Sequence, residues 1–159
     1  SCMKLSQLLS SRHILPDLKA EQRLDAIDEL LGHLVEVGDL DAQWKEEICA
    51  SLHQREAVVS TGVGAGVAIP HAFSDHIEEV IGVFGRSQKG VDFDSHDEEK
   101  VHFVVLFISP KKSYQKHLLA LAAIARLLTK VETRKKLMTA SDAEELFSLF
   151  RQKTLALND

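Results

Sequence analysis

Residues 60–72, Ser60-Thr61-Gly62-Val63-Gly64-Ala65-Gly66-Val67-Ala68-Ile69-Pro70-His71-Ala72, decide how the rest of the chain reads. Glycines in this density suggest a phosphate-binding loop. Such a loop needs the wider GxGxxG spacing or a trailing Lys-Ser/Thr, and it must open a helix whose N-terminus faces the phosphate. Gly62, Gly64 and Gly66 have neither. They run into Val67-Ala68-Ile69, an extended segment that Pro70 breaks. The geometric reading is stronger: glycine permits positive φ and close backbone approach, and proline sets φ just ahead of His71. Together they hold one imidazole at the end of a strand.

Around this stretch the hydrophobic period changes twice. Leu24, Ile27, Leu31 and Leu34 form an amphipathic helical stripe ending near Gly38, and Trp44, Ile48 and Leu52 form a second, capped by Asp39 or Asp41. Short β-branched or aromatic runs at 57–60, 67–69, 80–84 and 101–108 predict strands. The last is apolar on both faces except for His102, as in a central strand covered from each side.

After Pro110 the chain returns to helix. Ser113 is the expected cap of a helix apolar almost all round from Leu118 to Leu128, which predicts deep packing. Ser141-Asp142-Ala143-Glu144 has capping-box spacing, and Leu146, Phe147 and Phe150 supply the buried face of the helix it opens. The expected architecture is one α/β domain over 4–152. Residues 1–3 are read as an expression remnant with the start, and 153–159 as a C-terminal tail.

Bulk properties exclude several functions. A chain of 159 residues can bury a real core. A net charge of −5 argues against general nucleic-acid binding. No apolar stretch reaches the roughly 18 residues of a membrane span, so no membrane insertion is expected. Cys2 and Cys49 form no CxxC pair, and a reducing cytoplasm is the simplest setting. The eight histidines show no HxH, HxxxH or HExxH spacing, so neither a metal site nor a cofactor is expected. His13, His33 and His53 read as solvated, and His102 as a satisfied core residue that supports the site from behind.

His71 stands apart chemically. Neutral imidazole is a nucleophile near pH 7 and can carry a phosphoryl group on nitrogen, given donors to stabilise the charge. Backbone amides of the glycine run, Arg55, His117 and a helix start are the donors available. Arg55 by itself reads equally as a solvated helix-end residue or a partner of Glu56, and His117 as a helix-start residue bonded to backbone.

The segment REAVVSTGVGAGVAIPH, Arg55 to His71, followed by KVHFVVLFISP and by HLLALAAIARLL from His117, resembles the IIA component of the bacterial phosphoenolpyruvate:sugar phosphotransferase system, of the fructose/mannitol/nitrogen-regulatory type. The resemblance implies a three-layer fold with a mixed, mostly parallel sheet between helices. It implies that His71 accepts a phosphoryl group from a histidine phosphocarrier protein and passes it to a IIB domain. The alternative is that its phosphorylation state controls binding to a regulatory target. Arg55 and His117 would line the site. Ala72 departs from the glycine that many relatives carry after the active histidine. Phe73 is the expected docking contact.

Overall fold

A computed structural model describes residues 5–58 and 60–157, with side chains described to Arg151. Its elements in chain order are α1 (Leu5–Leu8), β1 (Ile14–Leu15), α2 (Arg23–Glu36), α3 (Ala42–Val58), β2 (Gly62–Gly64), β3 (Val67–Ala68), β4 (His71–Phe73), β5 (Ile81–Val91), β6 (Val101–Ser109), α4 (Tyr114–Leu128), α5 (Val131–Thr139) and α6 (Ala143–Leu157).

Six strands make one sheet in the order β1-β5-β6-β3-β2, with β4 pairing β6 beyond β3. The pairings β1·β5, β3·β6 and β4·β6 are parallel, whereas β5·β6 and β2·β3 are antiparallel. β6 lies in the interior of the sheet and is buried along its length apart from His102, as its two-sided apolar pattern predicts. Side chains alternate across it. Phe103, Val105 and Phe107 join a core beneath α1, α4, α5 and α6. Val104, Leu106 and Ile108 join a second core beneath α2 and α3. Helices therefore cover both faces, giving the expected three layers.

The helix signals resolve in detail. Gly38, at φ +85°, ends α2, where its N–H and that of Asp39 donate to the Val35 and Leu34 carbonyls, a Schellman closure. Asp41 caps α3 through the Gln43 N–H at 3.0 Å. The capping signal before α6 is displaced by one residue. Asp142 accepts from the Glu145 N–H (2.9 Å), and Glu145, not Glu144, reaches back to the Ser141 N–H (2.7 Å) and hydroxyl (2.6 Å). Ser113 makes no side-chain cap to α4.

Other expectations are corrected. Ala57 and Val58 finish α3 and are not strand; Val59 lies outside the described residues. Buried Glu56 explains the longer helix, because its carboxylate takes the Thr61 N–H (3.2 Å) and hydroxyl and pairs with Arg23 at 3.7 Å, fixing the chain as it leaves the last turn. β5 extends well past Phe84 through polar residues that masked it. There Arg86 is buried because its guanidinium donates to the carbonyls of Leu137 (2.9 Å), Ala140 and Pro16 (3.1 Å). α4 is buried on one side only: Leu118 and Leu119 are 45% and 47% exposed, so its all-round apolarity serves a surface. α6 continues to Leu157, past the boundary at 152, and residues 1–3 lie outside the described residues.

Candidate active site

β3 and β4 form a single line interrupted by Ile69-Pro70. Ala68 faces Val104 and His71 faces Phe107 across β6, the same offset, so the proline interrupts the strand without shifting its register. Pro70 supplies no N–H, but its carbonyl still accepts from the Phe107 N–H at 3.1 Å. Strand alternation then sends Ala72 into the core beneath α2 and α3 and sends His71 and Phe73 to the opposite face, above Phe107 and Ser109. The first turn of α4 brings His117 to the same face.

The result is a ring cluster. His71 lies 5.4 Å from Phe107 and 5.2 Å from His117 between centroids, the two imidazoles edge to face. His117 stacks on Phe73 at 4.2 Å and leans on Phe107 at 4.8 Å, while Tyr114 stacks beyond Phe73 at 6.0 Å. His71 remains half-buried, open to solvent on one side, whereas His117 is 3% exposed.

A hydrogen bond sets the tautomer of His71. His71 Nδ1 lies 2.7 Å from the Ile69 carbonyl oxygen. A carbonyl only accepts, so Nδ1 carries the proton and Nε2 holds the lone pair. His117 Nδ1 is 2.8 Å from the buried Ser109 hydroxyl. Burial, and secondarily the positive charge that His71 can take, push the His117 pKa down to about 4, so at neutral pH the ring is uncharged. The arrangement offers a fixed, directed imidazole nitrogen beside a second neutral imidazole that can donate or accept a proton.

The other expected site residues fall into two groups. Arg55 occupies the exposed last turn of α3 and has no hydrogen bond or ion pair among the described residues; Glu56 pairs with Arg23 instead. The glycine run is a hairpin in which Gly64, Ala65 and Gly66 turn at φ +90°, +57° and +77°. Two of its amides are engaged: the Gly62 N–H donates to Ser60 Oγ (3.0 Å) and the Ala65 N–H to Asp97 (3.0 Å). Gly66 lies beside His102 and Phe103, and His71 beside Phe107, roughly 13 Å further along β6 at about 3.3 Å per residue. The structure therefore places Gly66, at the turn, away from His71 along β6, where its positive φ closes the hairpin.

His102 is satisfied, donating from Nδ1 to the Ser87 carbonyl (2.7 Å), but it sits at the hairpin end and not behind His71. His13, His33 and His53 are partnered, not solvated: His13 with Asp39 and Ser10, His33 with the Arg12 carbonyl, His53 with Asp28. Sequence reasoning missed Ser109 and Tyr114. Both carried a signal, since Ser109 ends β6 two residues after Phe107 and Tyr114 precedes His117 by almost a turn.

The family described as "Phosphoenolpyruvate-dependent sugar phosphotransferase system, EIIA 2" matches residues 7–153. The chain belongs to that family. This EIIA 2 domain is 37% identical over 147 residues to a nitrogen regulatory protein of Bradyrhizobium diazoefficiens, covering 92% of this chain and 94% of that one. It is 32% identical over 152 residues to the PTS system fructose-specific EIIABC component of Bacillus subtilis, covering 94% of this chain but 23% of that protein. The crystal structure of nitrogen regulatory protein IIA-Ntr from Neisseria meningitidis superposes with TM-score 0.82 at 28% identity, over 92% of this chain and 98% of that one. IIA mannitol from Escherichia coli shares the fold (TM-score 0.74, 19% identity, 89% and 97% covered). IIA domains of this family are components of the phosphotransferase system, and the solved complex of enzyme IIAMTL with phosphorylated enzyme IIBMTL from Escherichia coli shares the fold (TM-score 0.74, 18% identity, 91% and 99% covered). Among the described residues no helix is long and apolar enough to cross a membrane.

Proposed function

We propose that this IIA domain carries a phosphoryl group on His71 Nε2, taken from a histidine phosphocarrier protein in the cytoplasm and passed to a IIB domain. The observation that carries the reading is the Nδ1–H bond to the Ile69 carbonyl, which leaves Nε2 as the ring nitrogen with a free lone pair on a half-buried residue.

In the forward step the Nε2 lone pair attacks phosphorus in line, the N–P bond of the donor phosphohistidine breaks, and its electron pair returns to the donor ring. His71 keeps its Nδ1 proton, so no proton need move. The product is an imidazolium bearing a dianionic phosphoryl group, with the Ile69 carbonyl stabilising the ring charge. Ser109 donates its hydroxyl hydrogen to His117 Nδ1, leaving the His117 Nε2–H for a phosphoryl oxygen. The N-terminus of α4, to which Ser113 makes no side-chain cap, and the guanidinium of Arg55, without a partner among the described residues, supply further positive potential. Phe73 holds the His117 ring by stacking and, with Tyr114, Leu118 and Leu119, forms an apolar rim on which a protein donor docks.

A second reading is favoured by the 37% identity to a nitrogen regulatory protein over nearly its whole length. In it the same phosphorylation changes affinity for a target protein. Both readings share the acceptor atom. Incubation with phosphoenolpyruvate, the first enzyme of the system and the phosphocarrier should give an acid-labile, alkali-stable label on His71 alone, absent in His71→Gln. A label elsewhere, or an acid-stable one, overturns the proposal. Onward transfer to a purified IIB domain separates transport from regulation.

A further inference from the structure

On the helical layer remote from α4, three side chains converge that the phosphoryl chemistry does not use. Cys49 and His53 stand one turn apart on α3, and Asp28 faces them from α2. Cys49 Sγ is 2.6 Å from Asp28 Oδ1 and 3.3 Å from His53 Nε2, and His53 Nε2 is 2.9 Å from the same Oδ1. Each contributes one potential ligand atom, and all three lie within 4.8 Å of one another. We infer that Asp28, Cys49 and His53 form a zinc-binding site that bridges α2 and α3.

Donor chemistry and geometry both support this. A thiolate, an imidazole and a carboxylate suit the borderline-soft Zn²⁺ better than Mg²⁺ or Ca²⁺, which take oxygen. Zinc–ligand bonds of about 2.0–2.3 Å in a tetrahedron set ligand atoms roughly 3.3–3.6 Å apart. The observed separations need to open by less than about an ångström, within reach of rotamer adjustment on two adjacent helices. Side chains of His53 and Asp28 are 31% and 47% exposed, so an ion can enter from solvent and keep water as its fourth ligand. The hydrogen-bond triangle already aims the three atoms at one point.

The sequence pattern explains why the site is hard to read. Cys-x3-His on one helix is not a His–His spacing, and Asp28 joins it only through helix packing. Without metal the thiol is strongly disfavoured from ionising: burial and then the Asp28 carboxylate push Cys49 up to about 12. Nearby charges from Lys45, which lowers it, and Glu46, which raises it, act in opposite senses. Binding therefore proceeds as Zn²⁺ plus Cys–SH giving Zn–S⁻ and one released proton, with His53 moving its proton from Nε2 to Nδ1 where Nε2 holds it beforehand. Affinity should rise with pH across the neutral range, since the ion displaces a proton.

The test uses the full chain with Cys2→Ser, so that Cys49 is the sole thiol. Titration with Co²⁺, the spectroscopic substitute for zinc, should produce a thiolate-to-cobalt charge-transfer band in the near ultraviolet, discharged by one equivalent of Zn²⁺. Zinc addition in weak buffer should release about one proton per ion at pH 7. Cys49→Ser should abolish the band with the circular dichroism unchanged. His53→Gln and Asp28→Asn should each weaken zinc binding at least about tenfold. Absence of the band, or its persistence in Cys49→Ser, overturns the assignment. Labelling of His71 is independent of all these outcomes.

Discussion

His71 and His117 face each other edge to face with ring centroids 5.2 Å apart, one open to solvent and donating to a carbonyl, the other buried on a serine hydroxyl. Two chemically identical side chains thus take different roles through their surroundings alone. The half-buried ring presents a lone pair. The buried one stays neutral and positions hydrogen bonds.

Keeping His117 neutral makes stability depend on pH. The unfolded ring titrates near 6.5 and the folded one at about 4, so between these values the unfolded chain binds more protons and stability rises with pH. The contribution is complete above about pH 6.5 and falls away toward pH 4, in total about 3 kcal/mol. Urea unfolding at a series of pH values should show the difference between the parent and His117→Gln shrinking as pH falls. A constant difference would contradict a buried neutral ring.

Ser109→Ala removes the hydroxyl partner of a buried imidazole. The expected cost is about 1–3 kcal/mol of stability, with phosphoryl acceptance slowed about tenfold and the label still on His71. Chemical denaturation and stopped-flow transfer measure the two effects separately. An unchanged transfer rate would show that His117 does not orient through this bond.

Arg55 has no structural partner among the described residues, so Arg55→Ala should leave the unfolding midpoint within about 0.5 kcal/mol of the parent. Its effect should appear only in phosphoryl acceptance, slowed at least about tenfold and partly restored in Arg55→Lys. Parent-like kinetics in Arg55→Ala would remove it from the site.

The glycine hairpin makes the opposite prediction. Gly64 adopts φ +90°, so Gly64→Ala should destabilise the fold by about 1–2 kcal/mol. Acceptance by the folded protein should be unaffected, because the turn is distant from His71. A transfer defect larger than the unfolded fraction accounts for would return these glycines to the site.

The apolar rim separates docking from chemistry. Leu119→Glu should slow transfer from the phosphocarrier while leaving phosphorylation by a small donor, phosphoramidate, at the parent rate. Equal slowing with both donors would place Leu119 in the chemistry and not in docking.

Legibility in the sequence followed how local the cause was. The α2 and α3 stripes, apart from Leu24, which is 40% exposed, the Gly38 terminator and the two-sided apolarity of β6 were readable because each depends on neighbours a few residues away. Strand β5 was cut short because Arg86 reads as polar until the carbonyls of α5 are brought to it. Glu56 extended α3 through Thr61 and Arg23, partners that only packing brings together. The exposed face of α4 escaped for the converse reason. Leucines at a surface look the same in a sequence as leucines facing a core.

One histidine behind a proline, framed by glycines, was evident from the order of residues, as was its kinship with EIIA 2 proteins. Chain order encodes backbone conformation and identity. It did not encode which ring nitrogen is available, that Ser109 supports His117, or that the turn glycines stand apart from the imidazole. Those depend on distances between segments far apart in the chain, and on the desolvation that arises only once helices close over the sheet.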